Sequence, residues 1–480
     1  MVFSSLVFLC IFLPVVLLLY YLTPQRYRNY TALAASLFFY AWGAPRFVFV
    51  LIGSSIFDYL ISHTLADSPT RTTQRRKFLL AVAITVNLSF FIYFKYMNFF
   101  VEQTNSMLSL IGANGIHWTH IALPIGISFF TFQKLSYLVD VYRGTTRVAE
   151  SASQHLLYVT LFPQLIAGPI VRYHDVAKQL ISRKYSAELF LSGAWRLALG
   201  LAKKVLIANV MGKVADTAFG GDAILSPLSA WIGAVCYAFQ IYFDFSGYSD
   251  MAIGLGRMLG LHFLENFNFP YISSGFAEFW RRWHISLSNW MREYLYIPLG
   301  GNRVRPWRVY FNLWLVFLLS GFWHGASWNF IVWGCYHGLF ISIDRLMSKR
   351  SWRFSRFISI PTTFILVLIG WIFFRTETLS DAFSYLHVMF AGTGQETNIC
   401  LTAKNLLPLN AIVVLVIAVL MSIAPLLGLK KLFSDWDITG CNARDNARVF
   451  FRFALTVLLF LFSLMALTLG HFNPFIYFRF

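Results

Sequence analysis

Apolar residues run along this chain in long, nearly unbroken stretches separated by short polar and basic segments. The stretches are continuous rather than alternating, so they read as helices and not as barrel strands. They predict helices near 3–22, 30–43, 46–63, 78–100, 120–139, 189–212, 229–256, 309–325, 328–347, 357–375, 405–428 and 449–471. Most approach the ~20 residues that cross a hydrocarbon layer ~30 Å thick. A helix satisfies its own backbone hydrogen bonds in lipid. The pattern therefore predicts an all-α polytopic membrane protein of about 11–12 transmembrane helices. No repeat or low-complexity linker interrupts it, so residues 1–480 read as a single membrane domain. The first run, Val2 to Leu22, lacks a basic leader and a small-residue cleavage site, and reads as a retained helix.

Two stretches break the pattern. Leu156 to Ile170 is apolar but short, and contains Pro163, Gly168 and Pro169. Residues 266–300 are aromatic and basic, interrupted by Pro270 and Pro298. Both read as re-entrant or amphipathic segments at the cytoplasmic face. Irregular backbone survives at membrane depth only inside protein or beside a cavity, so the expected architecture is a bundle around a central funnel.

Composition supports this reading: 58% of residues are hydrophobic and 12% charged, with a mean hydropathy of +0.61, against ~25% charged in soluble domains. The net charge of +18 would suggest nucleic acid in a soluble protein. Here the Lys and Arg residues gather in alternate loops, as the positive-inside rule requires. The partner is thus membrane lipid and not nucleic acid. The loops predict both termini outside and the basic loops in the cytoplasm. The 189–212 helix is the weak point, because it carries Arg196, Lys203 and Lys204. Asp244 and Asp250, in or near the membrane, read as holding nearby arginines in place rather than performing chemistry. The five cysteines form no CxxC pair, so no disulfide framework or zinc knuckle is implied.

Two histidines lie in dense aromatic frames, His284 in Phe279-Trp280-Arg281-Arg282-Trp283-His284 and His324 in Gly321-Phe322-Trp323-His324-Gly325. An ionisable residue at membrane depth is a functional candidate by default. Counted from Val309, His324 lies roughly 22 Å along its helix at ~1.5 Å per residue. Away from water a neutral imidazole can accept a proton from a hydroxyl. Gly321 and Gly325 permit close backbone approach, and Trp323 and Trp328 would wall the site. Either histidine could instead be a packed, hydrogen-bonded core residue. His337, near the middle of its helix, is the least safely set aside of the others. Arg281, Arg282 and Arg292 could grip phosphates or anchor the interface; Asn289 and Trp323 complete the candidate donor-binding set. Without HExxH or a close His/Cys/carboxylate cluster, no metal site is expected.

Six runs in order carry a family resemblance: Leu123-Pro124-Ile125-Gly126-Ile127-Ser128-Phe129, Phe162 through Pro169, Tyr242 through Gly256, Glu278 through Leu287, Tyr294 through Arg303, and Gly321 through Gly325. The chain resembles the membrane-bound O-acyltransferases of the bacterial polysaccharide-acetylating branch, most specifically over about 120–345. The resemblance implies acyl transfer in the bacterial inner membrane, with the family's buried histidine at His324 and its second polar position at His284. It further implies acetyl-CoA as a cytoplasmic donor substrate, no bound cofactor, a periplasmic SGNH-type O-acetyltransferase as partner, and a polysaccharide biosynthesis and export complex. Alginate, acetylated cellulose and peptidoglycan are the candidate polymers. The tail 472–480, placed outside the cytoplasm by the loop charges, contains Asn473-Pro474-Phe475-Ile476-Tyr477 and resembles the C-terminal motif of the companion peptide in teichoic-acid D-alanylation. That resemblance makes Tyr477 a candidate acyl carrier, against the alternative of an aromatic interface anchor. Two other functions stay open: a transporter or flippase with no covalent step, and a scaffold for biosynthetic enzymes.

Overall fold

The computed structural model describes residues 2–66, 72–166, 168–220, 225–350, 354–391, 403–429 and 443–470. Among these the regular structure is helical, and five helices are long and apolar enough to cross a membrane. The protein is an all-α, multi-pass membrane protein. The chain packs as two compact units, residues 1–190 with 255–264, and residues 191–254 with 265–480.

The first unit contains α1 (Leu13–Leu22), α2 (Arg28–Gly43), α3 (Phe47–Leu65), α4 (Thr73–Leu110), α5 (Ile127–Arg143), α6 (Ala152–Thr160), α7 (Phe162–Leu165) and α8 (Tyr173–Ile181). A buried ion pair links α3 to α5: Lys134 Nζ lies 3.1 Å from Asp58. Asn87 of α4 donates to the same carboxylate at 2.7 Å, so one acid joins three helices. The irregular stretch expected at 156–170 is real. It forms α6 and α7, broken at Leu161, with side chains packed inside the unit. Side chains serve its backbone: Phe162 N–H donates to Ser36 Oγ at 3.1 Å, and Tyr158 O–H to the Val171 carbonyl at 3.0 Å. Gly126, at φ +76°, passes the Leu165 carbonyl so closely that a Cβ there would lie 2.6 Å from it.

The second unit holds most of α9 (Ala187–Ala202) and of α11 (Pro227–Met258), with α10 (Asn209–Phe219), α12 (Phe276–Arg282), α13 (Ile285–Met291), α14 (Pro306–His324), α15 (Trp328–Lys349), α16 (Arg356–Arg375), α17 (Leu379–Ala391), α18 (Ala403–Leu406), α19 (Leu409–Ser422) and α20 (Ala443–Leu469). A π turn, Lys203–Ala208, joins α9 to α10. Glycines bring α9 and α11 together: a Cβ on Gly200 would meet the Gly247 carbonyl at 2.5 Å, and one on Gly254 the Gly193 carbonyl at 2.6 Å. The cations of the 189–212 segment are neutralised across this seam. Lys204 pairs with Asp244 at 2.8 Å, and Asp250 receives Arg196 at 2.8 Å and Lys203 at 2.6 Å.

Three segments that fall between the predicted helices are partly helical. α4 continues to Leu110, α10 to Phe219, and α17 occupies 379–391. In α17, Ala382, Tyr385 and Met389 recur at helical spacing and are buried. Thr378 and Asp381 exchange side-chain-to-backbone hydrogen bonds at its start, each at 3.1 Å. This cap and stripe explain why a segment poor in long apolar runs is ordered.

The seam predicts opposite outcomes for two glycines. Gly247→Ala would force a methyl against α9 backbone and should destabilise by about 1–3 kcal/mol. Gly53→Ala, where no atom of the described residues lies within 4 Å of the new methyl, should be neutral or gain up to ~1 kcal/mol of helix propensity. Thermal unfolding in detergent compares the two.

Candidate active site

α12 and α13 are short helices separated at His284, whose φ of 44° and ψ of 55° are left-handed. A non-glycine residue there stores strain unless neighbours hold it. The extended segment around Asn266 does so. Ile285 N–H donates to the Asn266 carbonyl at 2.9 Å, and Asn268 N–H to the Arg282 carbonyl at 2.9 Å. The Asn266 side chain completes the clamp: its Oδ1 accepts from Ser286 N at 3.2 Å and Ser286 Oγ at 2.9 Å, and lies 3.1 Å from His284 Nδ1. Its Nδ2 donates to Ser249 Oγ at 3.0 Å. A carbonyl oxygen only accepts, so His284 carries its proton on Nδ1. The lone pair is left on Nε2, which is buried and among the described residues has no hydrogen-bond partner. The Phe245 ring lies 4.6 Å away, edge-on.

His324 ends α14 where the chain turns to enter α15. Three glycines let these helices meet: a Cβ at Gly321 would lie 2.2 Å from the Phe330 carbonyl, one at Gly325 2.1 Å from the Phe330 ring, and one at Gly334 2.5 Å from the Phe317 carbonyl. The close approach expected at Gly321 and Gly325 is thus present. The His324 ring is 4% exposed and lies among Trp323, Trp333 and Phe374, at 4.8, 5.2 and 5.1 Å between centroids. Trp323 also lies 6.4 Å from His284. The two histidines, forty positions apart in sequence, therefore share the indole of Trp323 as a neighbour.

The candidate donor-binding residues do not converge in the same way. Arg281 is exposed on α12. Arg282 is committed to Glu278 at 2.7 Å and to the Asn268 carbonyl at 3.0 Å. Arg292 is 62% exposed, 3.7 Å from Glu293. Asn289 is half-buried on α13, and Trp323 is buried in the histidine cluster. Tyr477 lies outside the described residues.

Residues 149–378, which include Asn266, His284 and His324, match the family model of MBOAT, the membrane-bound O-acyltransferase family. The probable alginate O-acetylase AlgI of Pseudomonas putida is 41% identical over 496 residues, with both chains fully covered. The chain belongs to the membrane-bound O-acyltransferase family. It is therefore an enzyme, an acyltransferase of the O-acetyltransferase type. The peptidoglycan O-acetyltransferase of Helicobacter pylori is 36% identical over 84% of this chain and 82% of its own. The teichoic acid D-alanyltransferase of Bacillus subtilis is 28% identical over 52% of this chain and 68% of its own.

The acyltransferase has a third buried histidine in the cluster. His337, one helical turn after Trp333 on α15, is fully buried. Its Nδ1 accepts from Trp280 Nε1 at 3.3 Å, and its ring lies 4.6 Å from that of Trp333. It thus links α15 to the helix that leads into His284, while Trp333 touches His324. The i, i+4 spacing of Trp333 and His337 is a visible signal; the bond to Trp280 and the whole role of Asn266 have none, because they arise from tertiary contact.

His337→Asn, which keeps an acceptor close to the Nδ1 position, should retain more stability and activity than His337→Leu. The leucine leaves the buried Trp280 N–H unsatisfied, at about 1–3 kcal/mol. Unfolding midpoints and acetyl-transfer rates of the two variants check this.

Proposed function

We propose that this enzyme passes an acetyl group from a cytoplasmic thioester donor, acetyl-CoA, across the inner membrane for O-acetylation of an exported polysaccharide. His324 is the general base. His284, with its tautomer fixed by Asn266, turns the Nε2 lone pair to the site and orients the acceptor by accepting a hydrogen bond from it. The observation that carries the reading is the pair of buried imidazoles beside one indole, inside the stretch that matches an acyl-transfer family. Alginate is the favoured polymer, because relatives named as probable alginate O-acetylases cover the whole chain at 41% identity. A periplasmic SGNH-type transferase would finish the modification, and the loop charges favour both termini on that side.

The carrier in this proposal is Tyr477. His324 takes the phenol proton as the tyrosine oxygen attacks the thioester carbonyl, the C–S bond breaks, and the proton passes to the departing thiolate. A phenol titrates near ~10, so neutral attack needs such a base. The aryl ester is activated enough to acylate a serine of the partner. Arg281, Arg282 and Arg292 remain candidates for the donor's phosphates at the mouth.

Purified enzyme given labelled acetyl-CoA tests the base. His324→Ala should lose about 10²–10⁴-fold in acyl transfer, the span of general-base catalysis; unchanged turnover would favour a transporter. Tyr477 is tested separately by mass spectrometry of tail peptides trapped without the partner. An acetylated tyrosine is expected, and an unmodified tail with full activity in Tyr477→Phe would end the relay while leaving the general base standing.

A further inference from the structure

A cavity of about 370 Å³ enters the second unit beside the charged seam of α9 and α11. That volume lies within the ~300–1,000 Å³ of small-ligand sites. One wall is the extended segment 265–269: Glu265, Phe267, Asn268 and Phe269 line the cavity, while Asn266 supports His284. The cavity is therefore a neighbour of the histidine cluster and not part of it.

Its contents are balanced in charge. Arg196 and Lys203 are the cations, Asp250 and Glu265 the anions. Asp250 is 7% exposed and paired with both cations, whereas Glu265, an ion-pair partner of Arg196, is 46% exposed. Lys203 donates one of its three N–H groups to Asp250, and two remain for a ligand. Ser246 also lines the cavity; it is 2% exposed, and among the described residues its hydroxyl has no hydrogen-bond partner. A buried polar group without a partner is costly, so this hydroxyl asks for a ligand atom. Leu199 and Met421 give the cavity an apolar side.

Charge decides the ligand class. A purely anionic ligand would gain from the two cations but meet two carboxylates. A ligand with both signs meets an opposite charge at each end. Depth points the same way. Asp250 lies eight residues before Met258, the α11 end on the basic-loop face, or about 12 Å at ~1.5 Å per residue. That is just beneath a headgroup layer of ~5–7 Å per side. We infer that this cavity binds the headgroup of a zwitterionic aminophospholipid from the basic-loop leaflet. The phosphate takes the remaining donors of Lys203 and the Ser246 hydroxyl, and the ammonium takes Glu265. Glycerol and the first acyl carbons lie along Leu199 and Met421. This inference does not depend on the catalytic proposal.

The test uses the delipidated full-length protein re-equilibrated with mixed phosphatidylethanolamine and phosphatidylglycerol, with retained lipid counted by native mass spectrometry. The wild type should retain phosphatidylethanolamine about five-fold over phosphatidylglycerol, and Glu265→Gln and Lys203→Gln should each abolish that preference. Glu265 is half exposed and Asp250 keeps both its partners in Glu265→Gln, so this variant decides the matter even if Lys203→Gln fails to fold. Preference for phosphatidylglycerol, displacement of the retained lipid by added coenzyme A, or an unchanged ratio in Glu265→Gln would overturn the assignment.

Discussion

Polar side chains sealed inside an apolar bundle must find their partners within the protein, and that requirement organises the molecule. Asp58 meets it with Lys134 and Asn87, Asp250 with Arg196 and Lys203, and Asp244 with Lys204. At the histidine cluster a neutral carbonyl oxygen takes the same part. Asn266 Oδ1 gathers Ser286 and His284 and thereby holds an unfavourable backbone turn in place. The ion pairs join different helices, and Asn266 joins an extended segment to the α12–α13 turn, so the polar groups tie together elements that lipid would leave free to slide.

Glycine supplies the second condition, proximity. α9 against α11 and α14 against α15 approach so closely that a methyl would strike backbone. Without the first contact, Lys203, Lys204 and Arg196 would not reach the acids of α11. Without the second, His324 would not sit among Trp333 and Phe374. Small residues thus fix where the large and charged ones act, as close helix packing in lipid commonly requires.

Much of this was legible in the sequence because it is periodic or local. The apolar runs marked the helices, the prolines at 163 and 169 marked the irregular stretch, and Gly321 and Gly325 marked a close crossing beside His324. The acids at 244 and 250 were readable as holding arginines, since charges at that depth are seldom left alone; the fold gives Asp244 a lysine, and Asp250 an arginine and a lysine. What escaped was set by tertiary contact. Asn266 stands among phenylalanines with no motif around it, and only the fold brings it to His284. α17 was hidden because its buried stripe is brief and its 13 residues are too few to cross a membrane. Tyr477 was legible only by resemblance, and lies outside the described residues.

The left-handed conformation of His284 bears on how any change at that position is interpreted. Replacing it alters two things at once, the imidazole and the ease with which the main chain turns between α12 and α13. Asparagine or glycine would relax the turn while removing the ring; valine or isoleucine would oppose it. A ranking of replacements by side-chain chemistry alone would therefore mix a local folding effect with a chemical one, and asparagine gives the cleaner comparison with histidine.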